Sequence, residues 1–200
     1  MANILTLLSV SHIVQAIIVG GVLAFLTANI VMNAVAKAMT TTVNGWSITL
    51  KCGQPGNGIL QRAACAKILP AVNVAQEAAY WTTTVDGAGR RLSGQRDYVL
   101  HFPGGQLPPN DAFWSLTMTD VVGYMVRNPI DRSSVGSHSG LAPNADGSLD
   151  IYIQRTAPAG HESNWLPAPA GYFKLMLRVY LPGHAILDGE YHVPPVKRVH

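Results

Sequence analysis

The chain has 200 residues, of which only 12% are charged, against about 25% in ordinary soluble domains, and its net charge is +3. With the first forty residues set apart, about 160 remain, enough for one domain with a real core and too few for two. The 14 Lys and Arg residues are spread along the sequence, which excludes a stripe that tracks a phosphate backbone and so excludes nucleic acid as a partner.

No Asp, Glu, Lys or Arg precedes Lys37, and Ile13 to Ala36 is apolar apart from Gln15, Thr27, Asn29 and Asn33. As a helix this stretch spans about 36 Å, ample for a bilayer core. It predicts an uncleaved transmembrane helix, with residues 1–39 as anchor and residues 40–200 as one globular domain. The alternative is cleavage after Ala36 or Ala38, but a signal peptide has a shorter apolar stretch and a basic start. Ala16, Gly20, Ala24 and Ala28 recur every fourth residue, which puts small side chains on one stripe where another helix can approach closely. Asn29 and Asn33 are also four apart. Amides in hydrocarbon need partners, so each is expected to bond a neighbouring helix or interfacial water. Two readings stand side by side: a plain anchor, or a helix docked into a larger membrane assembly.

Sidedness is weakly encoded. Lys37 and Lys51 follow the helix while only His12 precedes it, which by charge alone puts the domain in the cytoplasm. Cys52 and Cys65, the sole cysteines, point the other way: a bridge between them would close a short loop, as an oxidising compartment permits. The alternative is two unrelated thiols, Cys65 being a small buried residue of a helix.

Beyond the anchor, Trp46 to Leu50 reads as a strand, and Ile59 to Leu69 has helical spacing with Leu60, Ala64 and Ile68 on one face. Six further strands are expected at Ala79–Val85, Tyr98–Phe102, Phe113–Thr119, Tyr124–Arg127, Leu149–Gln154 and Phe173–Tyr180, short and rich in β-branched or aromatic residues. Turn chemistry separates them at Asp86-Gly87, Pro103-Gly104-Gly105, Asn144-Ala145-Asp146-Gly147 and Pro169-Ala170-Gly171. The pattern predicts a mainly β domain, an antiparallel sandwich or jelly roll with one short helix.

Several motifs then occur in order: Phe113-Trp114-Ser115-Leu116-Thr117, Asn128-Pro129-Ile130-Asp131-Arg132, Asp146-Gly147-Ser148, Asn164-Trp165-Leu166-Pro167-Ala168-Pro169, and Phe173 to Tyr180. Together they resemble the family known as domain of unknown function 1214. The likeness runs from about Asn44-Gly45-Trp46 to Pro194-Pro195-Val196, and includes Gln61-Arg62-Ala63 and Leu92-Ser93-Gly94. The resemblance implies a jelly-roll-like sandwich outside the cytoplasm, here in the short form behind one membrane helix. It brings no established reaction, so no catalytic residue is carried over.

The residues themselves offer little chemistry. No Gly-x-Ser-x-Gly elbow is present, and His138 lies in a Gly/Ser loop where a solvated turn residue is the simpler account. His101, His138, His161, His184, His192 and His200 are too widely separated to read as a metal set, so neither a metal nor another cofactor is expected. Asp131 and Arg132 could hold a carboxylate or sugar hydroxyls, with Trp165 as a stacking platform; equally, they could tie loops and pack the sandwich edge. Arg178, in a strand, either faces solvent or pairs with a carboxylate such as Asp120.

The sequence therefore leads to a single-pass accessory or structural subunit of the inner membrane. Its partners would be the bilayer and other transmembrane subunits, such as those of a respiratory or photosynthetic complex, which a periplasmic domain caps or braces. A tethered enzyme or carbohydrate-binding module with a cleft near Asp131, Arg132 and Trp165 is the alternative.

Overall fold

Residues 4–69 and 73–199 are described by the computed structural model, with side chains described from Ser11. They divide into two compact units, Met1–Ala38 with Gly56–Pro70, and Met39–Pro55 with Ala71–His200.

The first unit is helical. Helix α1, Ile4–Met39, has 36 residues. It starts before the expected Ile13 because neither Gly nor Pro interrupts the residues ahead of it. Its stretch Ser11–Met39 is long and apolar enough to cross a membrane. Ile13, Ile17, Phe25 and Ile30 stand exposed along it, as lipid-facing side chains would. Helix α2, Ile59–Ile68, opens on Gly58, whose N–H donates to Gln61 Oε1 at 2.7 Å. That bond satisfies one of the amides a helix start leaves without a partner. The two helices are joined by a polar contact, Lys67 Nζ donating to Asn29 Oδ1 at 2.9 Å.

The second unit is built from strands β1 Thr41–Val43, β2 Trp46–Ile48, β3 Ala78–Thr83, β4 Asp97–Phe102, β5 Asn110–Thr119, β6 Ser134–Gly136, β7 Leu149–Gln154, β8 Trp165–Pro167, β9 Lys174–Pro182 and β10 Val196–Val199. They form one sheet in the order β1-β2-β3-β9-β5-β6 and a second in the order β10-β4-β7-β8. Every pair is antiparallel except β7 with β8, which run parallel. A short helix, α3, His184–Leu187, follows β9.

Alternation explains why the sheets face each other. In β7 the residues Leu149, Ile151 and Ile153 are buried while their neighbours are half-exposed, and β4 and β9 repeat that period of two. The inward side chains of both sheets make one core, with Phe102 of β4 against Trp114 of β5 at 5.7 Å between ring centroids. Full burial of each such side chain contributes about 1.5–3 kcal/mol. The chain is thus a β-sandwich behind a long apolar helix.

Some expected elements are corrected. Tyr124–Arg127 is not a strand: the Asp120 carboxylate accepts the N–H groups of Val122, Gly123 and Tyr124, folding the segment into a turn that leaves only a Thr119–Met125 bridge. Strands β1, β6, β8 and β10 were not foreseen, each being three or four residues long. The β1–β2 hairpin turns on Asn44 and Gly45, with φ of 55° and 84°. An Asn-Gly pair suits that left-handed geometry. Asn44 Nδ2 donates to Val193 O, and Trp46 Nε1 to Pro194 O, so the two ends of the sandwich sequence are tied directly.

Candidate functional site

Asn128, Arg132 and Asn164 form a loop-closing network. Asn128 Nδ2 donates to Arg132 O at 2.8 Å, and Arg132 N–H returns a bond to Asn128 Oδ1 at 3.0 Å. This closes a tight turn in which Asp131 adopts φ of 50°. The Arg132 guanidinium then reaches across, Nη1 donating to the carbonyls of Glu162, Ser163 and Trp165. Asn164, only 3% exposed, donates to Ala142 O and Asp150 O and accepts from the Ala142 N–H. Trp165 is buried, its indole N–H donating to Gln154 O at 2.8 Å. The structure brings Arg132 and Trp165 together, with the side chains engaged by the protein's own carbonyls.

His101 and Asp150 face each other across β4 and β7, Nδ1 lying 2.6 Å from Oδ1. Asn144 Nδ2 holds the other carboxylate oxygen at 2.9 Å. Such a pair could polarise a hydroxyl, but among the described residues no Ser, Thr or Cys bonds this imidazole. Nor, among those residues, does any group of three His, Cys, Asp or Glu side chains converge as a metal site would. Arg178 is half-buried, with Nε directed at Met176 Sδ, and Asp120 is engaged by its own turn.

An apolar cavity of about 100 Å³ lies under the β1–β2 hairpin, lined by Trp46, Ile48, Trp81, Ile186 and Tyr191 among others. It is well below the several hundred Å³ that small-molecule sites occupy. Burial pushes the Tyr191 hydroxyl far up from its ordinary value, and it bonds Gln106 O at 3.2 Å.

A different region has the size and polarity of a binding site. One groove of about 390 Å³ is lined by Asn44, Asp86, Arg90, Lys197 and Arg198 among others. A second, of about 290 Å³, is lined by Asp86, Arg90, Arg91, Arg96, Tyr172 and Arg198 among others. They share Asp86, Arg90 and Arg198 and so adjoin as a basic trough. Among the described residues Asp86 is its only lining carboxylate, and it is occupied: it accepts from the N–H groups of Ala88 and Arg90 and from Arg90 Nε. Burial pushes the Asp86 carboxyl upward, but the bonds from Arg90 and Ala88 outweigh it and hold the group below its ordinary range. The Arg91 guanidinium carbon lies 4.1 Å from the centre of the Tyr172 ring. Strand pairing sets Lys197 opposite Val99 and Arg198 opposite Tyr98. Sequence reasoning missed this site, although Arg90-Arg91 and Lys197-Arg198 are visible as two basic doublets.

On α1, Gly20 and Gly21 have nothing within 4 Å of where a Cβ would stand. Ala16, Ala24, Ala28 and Asn33 are exposed. Asn29 Nδ2 donates to Phe25 O at 2.9 Å, and its Oδ1 takes the bond from Lys67. Cys52 and Cys65 are both disulfide-bonded.

The family model described as "Protein of unknown function (DUF1214)" matches residues 77–184. No curated protein matches the chain. Among solved structures, the VPA0106 protein from Vibrio parahaemolyticus is similar at 28% identity and a TM-score of 0.63, covering 72% of this chain and 36% of that one. An uncharacterized protein from Burkholderia cenocepacia is similar at 13% identity and a TM-score of 0.42, covering 88% of this chain and 49% of that one. The chain therefore spans less than half the length of either protein.

Proposed function

The chain belongs to the DUF1214 family, proteins of unknown function, and from that premise we propose that it is a single-pass accessory subunit whose sandwich braces or caps a larger membrane complex on the periplasmic side. One observation carries the proposal: the apolar side chains of α1 are exposed, and the stripe at Ala16, Gly20, Ala24 and Ala28 is open to another helix. The disulfide-bonded state of both cysteines supports an oxidising compartment for the domain. No observation favours a ligand cleft at Asp131, Arg132 and Trp165, because backbone carbonyls account for the polar contacts of Arg132 and Trp165.

The test is purification in mild detergent, with identification of whatever travels with the chain. Gly20→Leu combined with Ala24→Leu should release the membrane partner while the sandwich stays folded. A partner that stays bound to the double variant would sink the proposal. Protease added to sealed inner-membrane vesicles with the cytoplasmic face outward should spare the domain; digestion there would reverse the sidedness.

A further inference from the structure

We propose that the basic trough between the Asp86–Arg96 segment and β10 is a binding site for a ligand bearing two or more phosphate or carboxylate groups. Among the described residues, five cationic side chains, Arg90, Arg91, Arg96, Lys197 and Arg198, line it against one carboxylate, Asp86. That local excess is larger than the net charge of +3 carried by the whole chain. Like charges held together cost stability unless something offsets them, and a bound oxyanion is the simplest offset.

Two of the cations are held in place by side-chain contacts. Arg90 is fixed by Asp86, whose side chain is 2% exposed, and Arg91 is held over Tyr172. Arg198 sits on the core-facing side of β10, opposite buried Tyr98, where the sheet edge opens. Among the described residues, Arg91, Arg96, Lys197 and Arg198 have no salt-bridge partner. Asp97 neighbours the trough, paired in register with Val199, but does not line it. Each groove, one of about 390 and the other of about 290 Å³, has room for a ligand larger than a single phosphate. Planar guanidinium forks prefer carboxylate and phosphate oxygens.

The experiment is calorimetric titration of the full chain in phosphatidylcholine nanodiscs with inorganic pyrophosphate, at low and then moderate salt. Saturable binding that weakens with salt is expected, together with a loss of about tenfold in Arg96→Gln and again in Lys197→Gln. Both positions are exposed, so both variants should keep the wild-type melting temperature. Arg155→Gln, which removes one exposed charge outside the trough, should bind as wild type does. Absence of saturable binding, or an equal loss in Arg155→Gln, would overturn the proposal. Discs containing phosphatidylglycerol separate the sources: unchanged pyrophosphate affinity assigns a soluble ligand, and competition assigns a lipid headgroup with the same oxyanion chemistry.

Discussion

Arg90 Nε donates to Asp86 Oδ2 at 2.9 Å, and the carboxylate it meets is 2% exposed while the Arg90 side chain is 58% exposed. The pair is asymmetric, a buried acid held by a solvated base. Most of its value lies in satisfying Asp86, which also accepts two backbone N–H groups.

Asp86→Asn should therefore cost about 2 kcal/mol of folding stability, read by urea unfolding at neutral pH. The folded carboxyl titrates below its ordinary value of 3.8. The unfolded state then binds more protons over that interval, so the stabilisation is complete above 3.8 and is lost as pH falls through the lower, folded value. Asp120, Asp146 and Glu162 are lowered by hydrogen bonds and act in the same direction. Stability should fall steeply with acid in the wild type and less steeply in Asp86→Asn; parallel curves would refute the assignment.

Gly94 and Gly136 are required by close backbone approach. A Cβ on Gly94 would lie 1.5 Å from Pro169 O, and one on Gly136 would lie 2.2 Å from Trp114 O. Either Ala substitution should destabilise by at least about 3 kcal/mol. Gly89→Ala, at φ of 77° in open space, should cost about 1 kcal/mol. Melting temperatures of the three variants check the order.

Arg132→Ala leaves the carbonyls of Glu162, Ser163 and Trp165 without their shared donor. The expected loss is about 2–3 kcal/mol. Hydrogen exchange should show the 162–165 segment opening first. Unchanged exchange there would remove the loop-tying role.

The bond from Lys67 to Asn29 gives α1 a depth marker, since an ammonium stays at hydrated levels. On the proposed membrane-spanning reading of α1, hydrocarbon would end near Asn29 and extend about 20 residues toward the amino terminus. In intact membranes, Asn33→Cys should react with a water-soluble maleimide and Ile18→Cys should not. Equal labelling would contradict the depth assignment. The native cysteines, being disulfide-bonded, should not contribute.

What was legible before folding follows local rules. The apolar run of α1, the helical spacing at Ile59–Ile68 and the alternation of β4, β7 and β9 are short-range patterns, so their elements were foreseen, to within a few residues except at the start of α1, which begins well before Ile13. The motif residues Asn128, Arg132 and Asn164 were visible as types, but their bond partners lie up to 33 residues away along the chain. Tyr124–Arg127 misled because its residues favour strands, while one carboxylate at Asp120 satisfied three backbone amides and turned the chain.

The sequence alone determined the long apolar helix and a mainly β domain behind it, because burial and periodicity are written residue by residue. Only the tertiary structure decided which side chains share a site. Arg90 and Arg198 are far apart in sequence, yet the pairing of β10 with β4 and the Gly87-to-Val196 backbone bond bring them to one trough. Electrostatic character depends on distance in space, and sheet topology sets that distance.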